Sequence, residues 1–240
     1  MQILYISLLT VITSAIGTIS GFGISTLMVP IISFFMPLTE TIFFVGVVHW
    51  FGDVWKIFIF KKGLNTKIIL AFGVPGVIFS FIGAKMLLTT PTDILSRFIG
   101  TILIVYVCYL LIKPKFKIKP NITSALVGGG LSGLLGGITG VGGGALRAVV
   151  LTSFNLSKEV YVYTTGLVGA TVDASRIVGY FTNGTLIQKE LLFAMPIFVF
   201  ASWLGVKIAK VMVDKIPQEK FRWIIATFLF LISLKFILIP

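Results

Sequence analysis

The chain has 240 residues, 57% of them apolar and only 12% charged, with a mean hydropathy of +1.06, which leaves too little polar surface for a domain dissolved in water. A formal charge of +12 would suit nucleic acid, but most lysines and arginines stand at the ends of apolar runs, as orientation signals and lipid-headgroup contacts do, so no nucleic-acid partner is expected. One cysteine, Cys108, and one histidine, His49, leave no disulfide framework, no metal-ligand spacing and no cofactor motif.

Ten apolar segments are predicted, at residues 2–20, 24–35, 41–60, 66–88, 94–112, 121–139, 144–154, 160–181, 189–212 and 219–239. Their hydrophobicity is continuous rather than alternating, which argues for helices and against the strands of a barrel. The fold class is therefore all-α, a polytopic membrane protein of eight to ten membrane segments. The first segment lacks a basic start and a small-residue cleavage site, so it is expected to be a membrane helix rather than a signal peptide. Segments 24–35 and 144–154 have about a dozen residues, too few at about 1.5 Å per residue to cross a core of about 30 Å. Each is expected to be half of a re-entrant hairpin with a glycine-rich tip, where glycine allows backbone angles that other residues resist.

The two halves of the sequence superimpose. Gly17-Thr-Ile-Ser-Gly-Phe-Gly23 matches Gly136-Gly-Ile-Thr-Gly-Val-Gly142 at an offset of 136 − 17 = 119. Asp53 and Lys56 then meet Asp173 and Arg176, Pro75 meets Pro196, and Gly83 with Lys85 meets Gly205 with Lys207. Matched acidic, basic and proline positions in one order imply an internal duplication. The expected division is a first repeat at 1–112, a basic linker at 113–119 and a second repeat at 120–240, all in one membrane domain. Basic residues follow the third segment (Lys61, Lys62, Lys67), fill the linker (Lys113, Lys115, Lys117, Lys119) and cluster between Lys207 and Arg222. These regions are expected in the cytoplasm, with the turns at 89–92 and 182–185 and both termini outside. Five segments per half make the repeats inverted, as in many secondary transporters.

Candidate binding residues follow from the breaks. Gly21, Phe22 and Gly23 form one tip, and Gly140, Val141, Gly142, Gly143 and Gly144 the other. Amides at the start of the helices that follow can face an anion. Gly129, Gly133 and Gly137, spaced by four, instead suit close helix packing. Asp53 with Lys56, and Asp173 with Arg176, stand three apart on one helical face and can pair. The alternative role for these four is ion coupling, with His49, one turn before Asp53, as a proton relay. Arg147 has Met28 as its repeat equivalent and no acidic residue within a turn along the chain, which makes it the expected anchor for an anion. Gly130-Leu-Ser-Gly133 has the form found around the nucleophile of intramembrane serine proteases. A serine needs a base, however, and the sole histidine precedes it in the other half, so an enzyme is not expected.

Residues 17–30 and 136–149 resemble the paired glycine-rich motifs of the sulfite exporter TauE/SafE family, also called the toluene sulfonate uptake permeases. Length, duplication and motif positions match across nearly the whole chain. The first motif departs from the usual glycine run at Gly21-Phe-Gly-Ile-Ser25, and the second has Arg147-Ala-Val149 where such motifs often reach a proline. The resemblance implies a multi-pass protein of the cell membrane, prokaryotic in type, that carries sulfite, sulfonate or sulfoacetate, with proton coupling among its options; the inverted halves add the expectation of alternating access about a midplane site at the glycine breaks. A passive anion channel is the alternative. The partners implied are a small anion and membrane lipid, and homo-oligomerisation is left open.

Overall fold

The computed structural model describes residues 1–61, 66–87, 89–112, 121–152, 154 and 156–212, with positions 215, 230, 231, 233, 234 and 236–238. The expected linker and most of the tenth segment lie outside the described residues. The regular structure among them is helical: α1 Gln2–Ser20, α2 Ser25–Ile32, α3 Leu38–Phe60, α4 Thr66–Leu87, α5 Thr92–Ile112, α6 Ile122–Thr139, α7 Gly143–Thr152, α8 Lys158–Thr182, α9 Lys189–Phe193 and α10 Met195–Met212.

Local chemistry sets several boundaries. Pro37 precedes α3, and Glu40 in the first turn offsets the amide end of the helix dipole. Asn121 and Ser124 cap α6 reciprocally: the Ser124 N–H donates to Asn121 Oδ1 at 2.7 Å and the Asn121 N–H donates to Ser124 Oγ at 3.2 Å. The segment expected as one helix over 189–212 is two, because Pro196 has no N–H to continue the ladder and its ring opposes the preceding turn. The chain bends at Ala194, whose own N–H still reaches the Glu190 carbonyl.

Five of these helices, α1, α3, α4, α6 and α10, are long and apolar enough to cross a membrane. Outward-facing Leu4, Leu8 and Ile12 on α1, Leu70, Val74 and Ile78 on α4, and Ile197, Phe200 and Leu204 on α10 are exposed. Such rows are unfavourable in water and suit lipid tails.

Inside, small residues let backbones touch. A Cβ on Gly129, Gly133 or Gly137 would overlap the carbonyls of Phe72, Gly76 and Ser80, so one face of α6 lies directly on α4. Gly205 of α10 lies against the Val11 carbonyl of α1 in the same manner. The packed pairs come in matched sets when the halves are exchanged. α4 packs on α6 as α10 packs on α1, α2 meets α3 as α7 meets α8, α4 meets α8 as α10 meets α3, and α3 and α8 cross each other.

Polar contacts sort the helix ends. Gln188 donates to Glu40 at 3.2 Å, Lys85 donates to Thr182 at 2.9 Å, and the Asn183 amide donates to the Ala84 and Lys85 carbonyls, all at one end of the bundle. At the other end Lys210 donates to the Ile59 carbonyl at 2.7 Å. His49 sits between them, eleven residues from either end of α3 (49 − 38 and 60 − 49).

Candidate functional site

The two glycine tips fold alike. Gly21 ends α1 at φ 78 with its N–H on the Gly17 carbonyl, and Gly140 ends α6 at φ 67 with its N–H on the Gly136 carbonyl. Two residues on, Gly23 and Gly142 both have φ 79. An L-residue in this left-handed region costs about 1–2 kcal/mol, so the sequence needs glycine at all four positions. The tips also touch: a Cβ on Gly144 would overlap the Phe22 carbonyl.

Against this junction α3, α7 and α8 bring six ionisable side chains, each no more than 4% exposed: His49, Asp53, Lys56, Arg147, Asp173 and Arg176. Lys56 Nζ donates to Asp53 Oδ1 at 2.6 Å, and Arg176 Nε donates to Asp173 Oδ1 at 2.7 Å. These are the two pairs that the three-residue spacing allows. Arg147 Nη2 reaches the other Asp53 oxygen at 3.4 Å, which corrects the expectation of a guanidinium without a counter-charge. The partner lies 94 residues back along the chain, so only tertiary packing supplies it. Glycines let α8 close on α3 beside this bridge: a Cβ on Gly169 would overlap the Asp53 carboxylate, and one on Gly166 would come within 2.8 Å of Lys56 Cβ.

His49 spans the halves. Its Nε2 lies 3.7 Å from Asp53 Oδ1 and its Nδ1 lies 3.2 Å from Asp173 Oδ2. Nδ1 is also 2.8 Å from Ser25 Oγ and 3.3 Å from Arg176 Nη2, which itself donates to Ser25 at 3.2 Å. Arg176 has no lone pair to offer, so Nδ1 is the acceptor there and the neutral ring carries its proton on Nε2. Tyr180 closes the end of α6, donating to the Gly137 carbonyl at 2.6 Å.

Counting formal charges, three cations (Lys56, Arg147, Arg176) face two carboxylates (Asp53, Asp173), an excess of one positive charge with neutral His49. Three buried atoms of the cluster, His49 Nε2, Arg147 Nε and Asp173 Oδ2, have no hydrogen-bond partner. Buried polar atoms are ordinarily paired, so this cluster is set up for something further. A cavity of about 20 Å³ opens onto it, with the room of about one water molecule. Its wall includes the first-turn residues Ser25 and Thr26 of α2 and Gly143 and Gly144 of α7, where backbone amides have no carbonyl a turn below. His49, Asp53 and Asp173 offer donor atoms within 4.8 Å of one another. Each carboxylate already meets a cationic side chain, however, so the surroundings favour an anion or a proton over a metal ion.

Of the residues expected at a site, Phe22, Gly140, Gly143, Gly144, Arg147, His49, Asp173 and Arg176 line the cavity. Asp53 and Lys56 stand behind Arg147, paired with each other. Gly21, Gly23, Val141 and Gly142 shape the turns; Val141 is buried with its N–H on the Thr139 hydroxyl. Ser25, Tyr161, Gly166, Gly169 and Tyr180 belong to the same assembly and were not singled out by sequence. Ser25 closes the first motif and Gly166 and Gly169 precede Asp173 on one helical face, so the signal was present as spacing. Ser132 donates to the Gly143 carbonyl at 2.6 Å.

The sequence model of the sulfite exporter TauE/SafE family matches residues 6–236. No curated protein matches the chain. The family consists of membrane transporters of sulfur-containing anions, multi-pass proteins typical of the plasma membrane, and not of enzymes. With paired glycine breaks, apolar helices and a buried cationic excess all accounted for within that match, the chain belongs to the sulfite exporter TauE/SafE family.

Proposed function

We propose that this chain is a secondary transporter that moves a sulfite- or sulfonate-type anion by alternating access about the meeting point of its two glycine breaks. The observation that carries the reading is the junction itself. Two helix starts, Arg147 and Arg176 with Asp173, and His49 line one cavity half-way along α3, with the Asp53–Lys56 pair behind Arg147. A lone buried charge in a membrane costs about 2.5–3.5 kcal/mol, and an anion offsets it directly. Arg147 is the anchor, with its unpartnered Nε and a planar fork suited to sulfonate oxygens.

The halves at 1–112 and 120–240 act as inverted repeats, each with a re-entrant hairpin. What supports the inversion is that Lys85 and its repeat equivalent Lys207 occur toward opposite ends of the bundle, the first beside Thr182 and the second one turn before Lys210, which meets Ile59. Both lysines lie over an aromatic ring four residues earlier, Phe81 and Trp203. A cavity of about 20 Å³ is too small for a sulfonate, so the anion enters only when the halves shift, which favours a carrier over an open channel.

The test is binding to purified protein, read as thermal stabilisation by sulfite, thiosulfate, sulfonates, carboxylates and phosphate. The sulfur oxyanions are expected to stabilise at the lowest concentrations. In proteoliposomes, anion uptake running uphill under an imposed gradient separates the carrier from a channel, and uptake that never exceeds equilibrium would remove the carrier reading.

A further inference from the structure

Resting on that anion site, we infer that His49 sets the charge of the anion the site accepts: a monoanion with neutral His49, a dianion only together with a proton on His49. Among the described residues the buried charges at the junction sum to plus one, from Lys56, Arg147 and Arg176 against Asp53 and Asp173. A buried site is cheapest when its charges cancel. A sulfonate brings one negative charge and cancels the excess. A dianion of the same tetrahedral shape leaves the junction one negative charge over, and one more positive charge restores the balance.

His49 is the group placed to supply it. On its own helix it faces Asp53 and Lys56; from α8 it faces Asp173 and Arg176, from α7 Arg147, and from α2 the Ser25 hydroxyl. α10 sets Phe198 against Phe44, accepts from Trp55 at the Val199 carbonyl, and brings Lys210 to the Ile59 carbonyl, ten residues along α3 from His49. The guanidinium groups keep their protons at any working pH. The carboxylates are each held by a cation, so the imidazole is the member free to change state. Its geometry is ready for that change: Nδ1, which would take the proton, lies 3.2 Å from Asp173 Oδ2, a carboxylate oxygen that otherwise has no hydrogen-bond partner. The protonated ring then holds both carboxylates, one from each half, and transport of a dianion carries a proton with it.

Sulfate and methanesulfonate share a tetrahedral SO₃ face and differ in charge, which makes them the probe pair. Calorimetric titration of the whole purified protein in two buffers of different ionisation enthalpy, near pH 7.5, counts protons taken up per anion bound. About one is expected for sulfate and close to none for methanesulfonate. Because uptake of a proton favours the protonated form, sulfate affinity should fall about tenfold for each pH unit of increase, with methanesulfonate nearly level. Asp173→Asn removes one negative charge opposite an arginine that cannot lose its proton, so sulfate should then bind with little proton uptake. His49→Gln should lose the uptake and weaken sulfate at least tenfold more than methanesulfonate. Equal proton counts for the two anions in the unaltered protein, or sulfate uptake that persists in His49→Gln, overturns the assignment to His49. Absence of binding by every anion tested overturns the anion site itself.

Discussion

At the scale of single residues, Arg147 carries most of the proposal and is the first to test. Arg147→Met copies the residue at the equivalent position of the other half, Met28. Asp53 keeps Lys56 at 2.6 Å after the change, so folding should survive while anion affinity falls at least about tenfold, or 1.4 kcal/mol. Arg147→Lys should recover part of this, since charge returns without the fork. Affinity measured on folded, purified variants decides the matter, and unchanged affinity in Arg147→Met would take Arg147 out of the site. Gly21 offers a second test. Gly21→Ala adds a left-handed penalty of about 1–2 kcal/mol and drives its methyl group into the Tyr161 hydroxyl. Combining it with Tyr161→Phe should restore part of the lost thermal stability, because the hydroxyl overlap goes while the ring carbon at 2.8 Å and the backbone term stay. What sequence made legible at this scale was the pairing of Asp53 with Lys56 and of Asp173 with Arg176, since a three-residue spacing is a local fact. The Asp53–Arg147 bridge and the Gly169 pocket behind it were not legible, because both depend on which helices cross.

At the scale of elements, the seam between α4 and α6 should be the least tolerant surface in the molecule. Gly133→Ala puts a methyl group into the Gly76 carbonyl, backbone against backbone, where no side chain can turn aside. Overpacking of this kind costs about 1–3 kcal/mol. Gly73→Ala, on the same α4 with open space around it, is the control and should leave melting within about 0.5 kcal/mol of the parent or raise it slightly. Thermal unfolding in detergent compares the two, and equal effects would mean that the seam is looser than drawn. Small residues at four-residue spacing announced this seam in the sequence, although not its partner. The division of the 189–212 segment went unread because Pro75, the equivalent of Pro196, lies inside an unbroken α4; proline alone did not distinguish a kinked helix from an interrupted one.

At the scale of the whole molecule, the loop charges and the duplication give a topology with a definite test. In a variant whose native Cys108 is replaced, single cysteines at 62, 116 and 215 should be labelled from the cytoplasmic side and those at 90 and 183 from outside. Finding 62 and 116 on opposite faces would break the inverted arrangement. The contacts of Lys85 with Thr182 and of Asn183 with Ala84 already put the neighbourhoods of 90 and 183 at one end of the bundle. The class of the molecule and its glycine tips were readable from patterns along the chain. Where the tips touch was not, since contact between stretches so far apart in sequence leaves no spacing to read.

The abutment of Gly144 on the Phe22 carbonyl has a mechanical consequence. Two stretches of chain 144 − 22 = 122 residues apart bear on each other with no side chain between them, like two fingertips pressed together. A push on either is delivered to the other without slack. On the carrier reading proposed above, the two halves would not be two carriers side by side but would share a single moving joint, and a turnover would admit one passenger through it rather than one for each half.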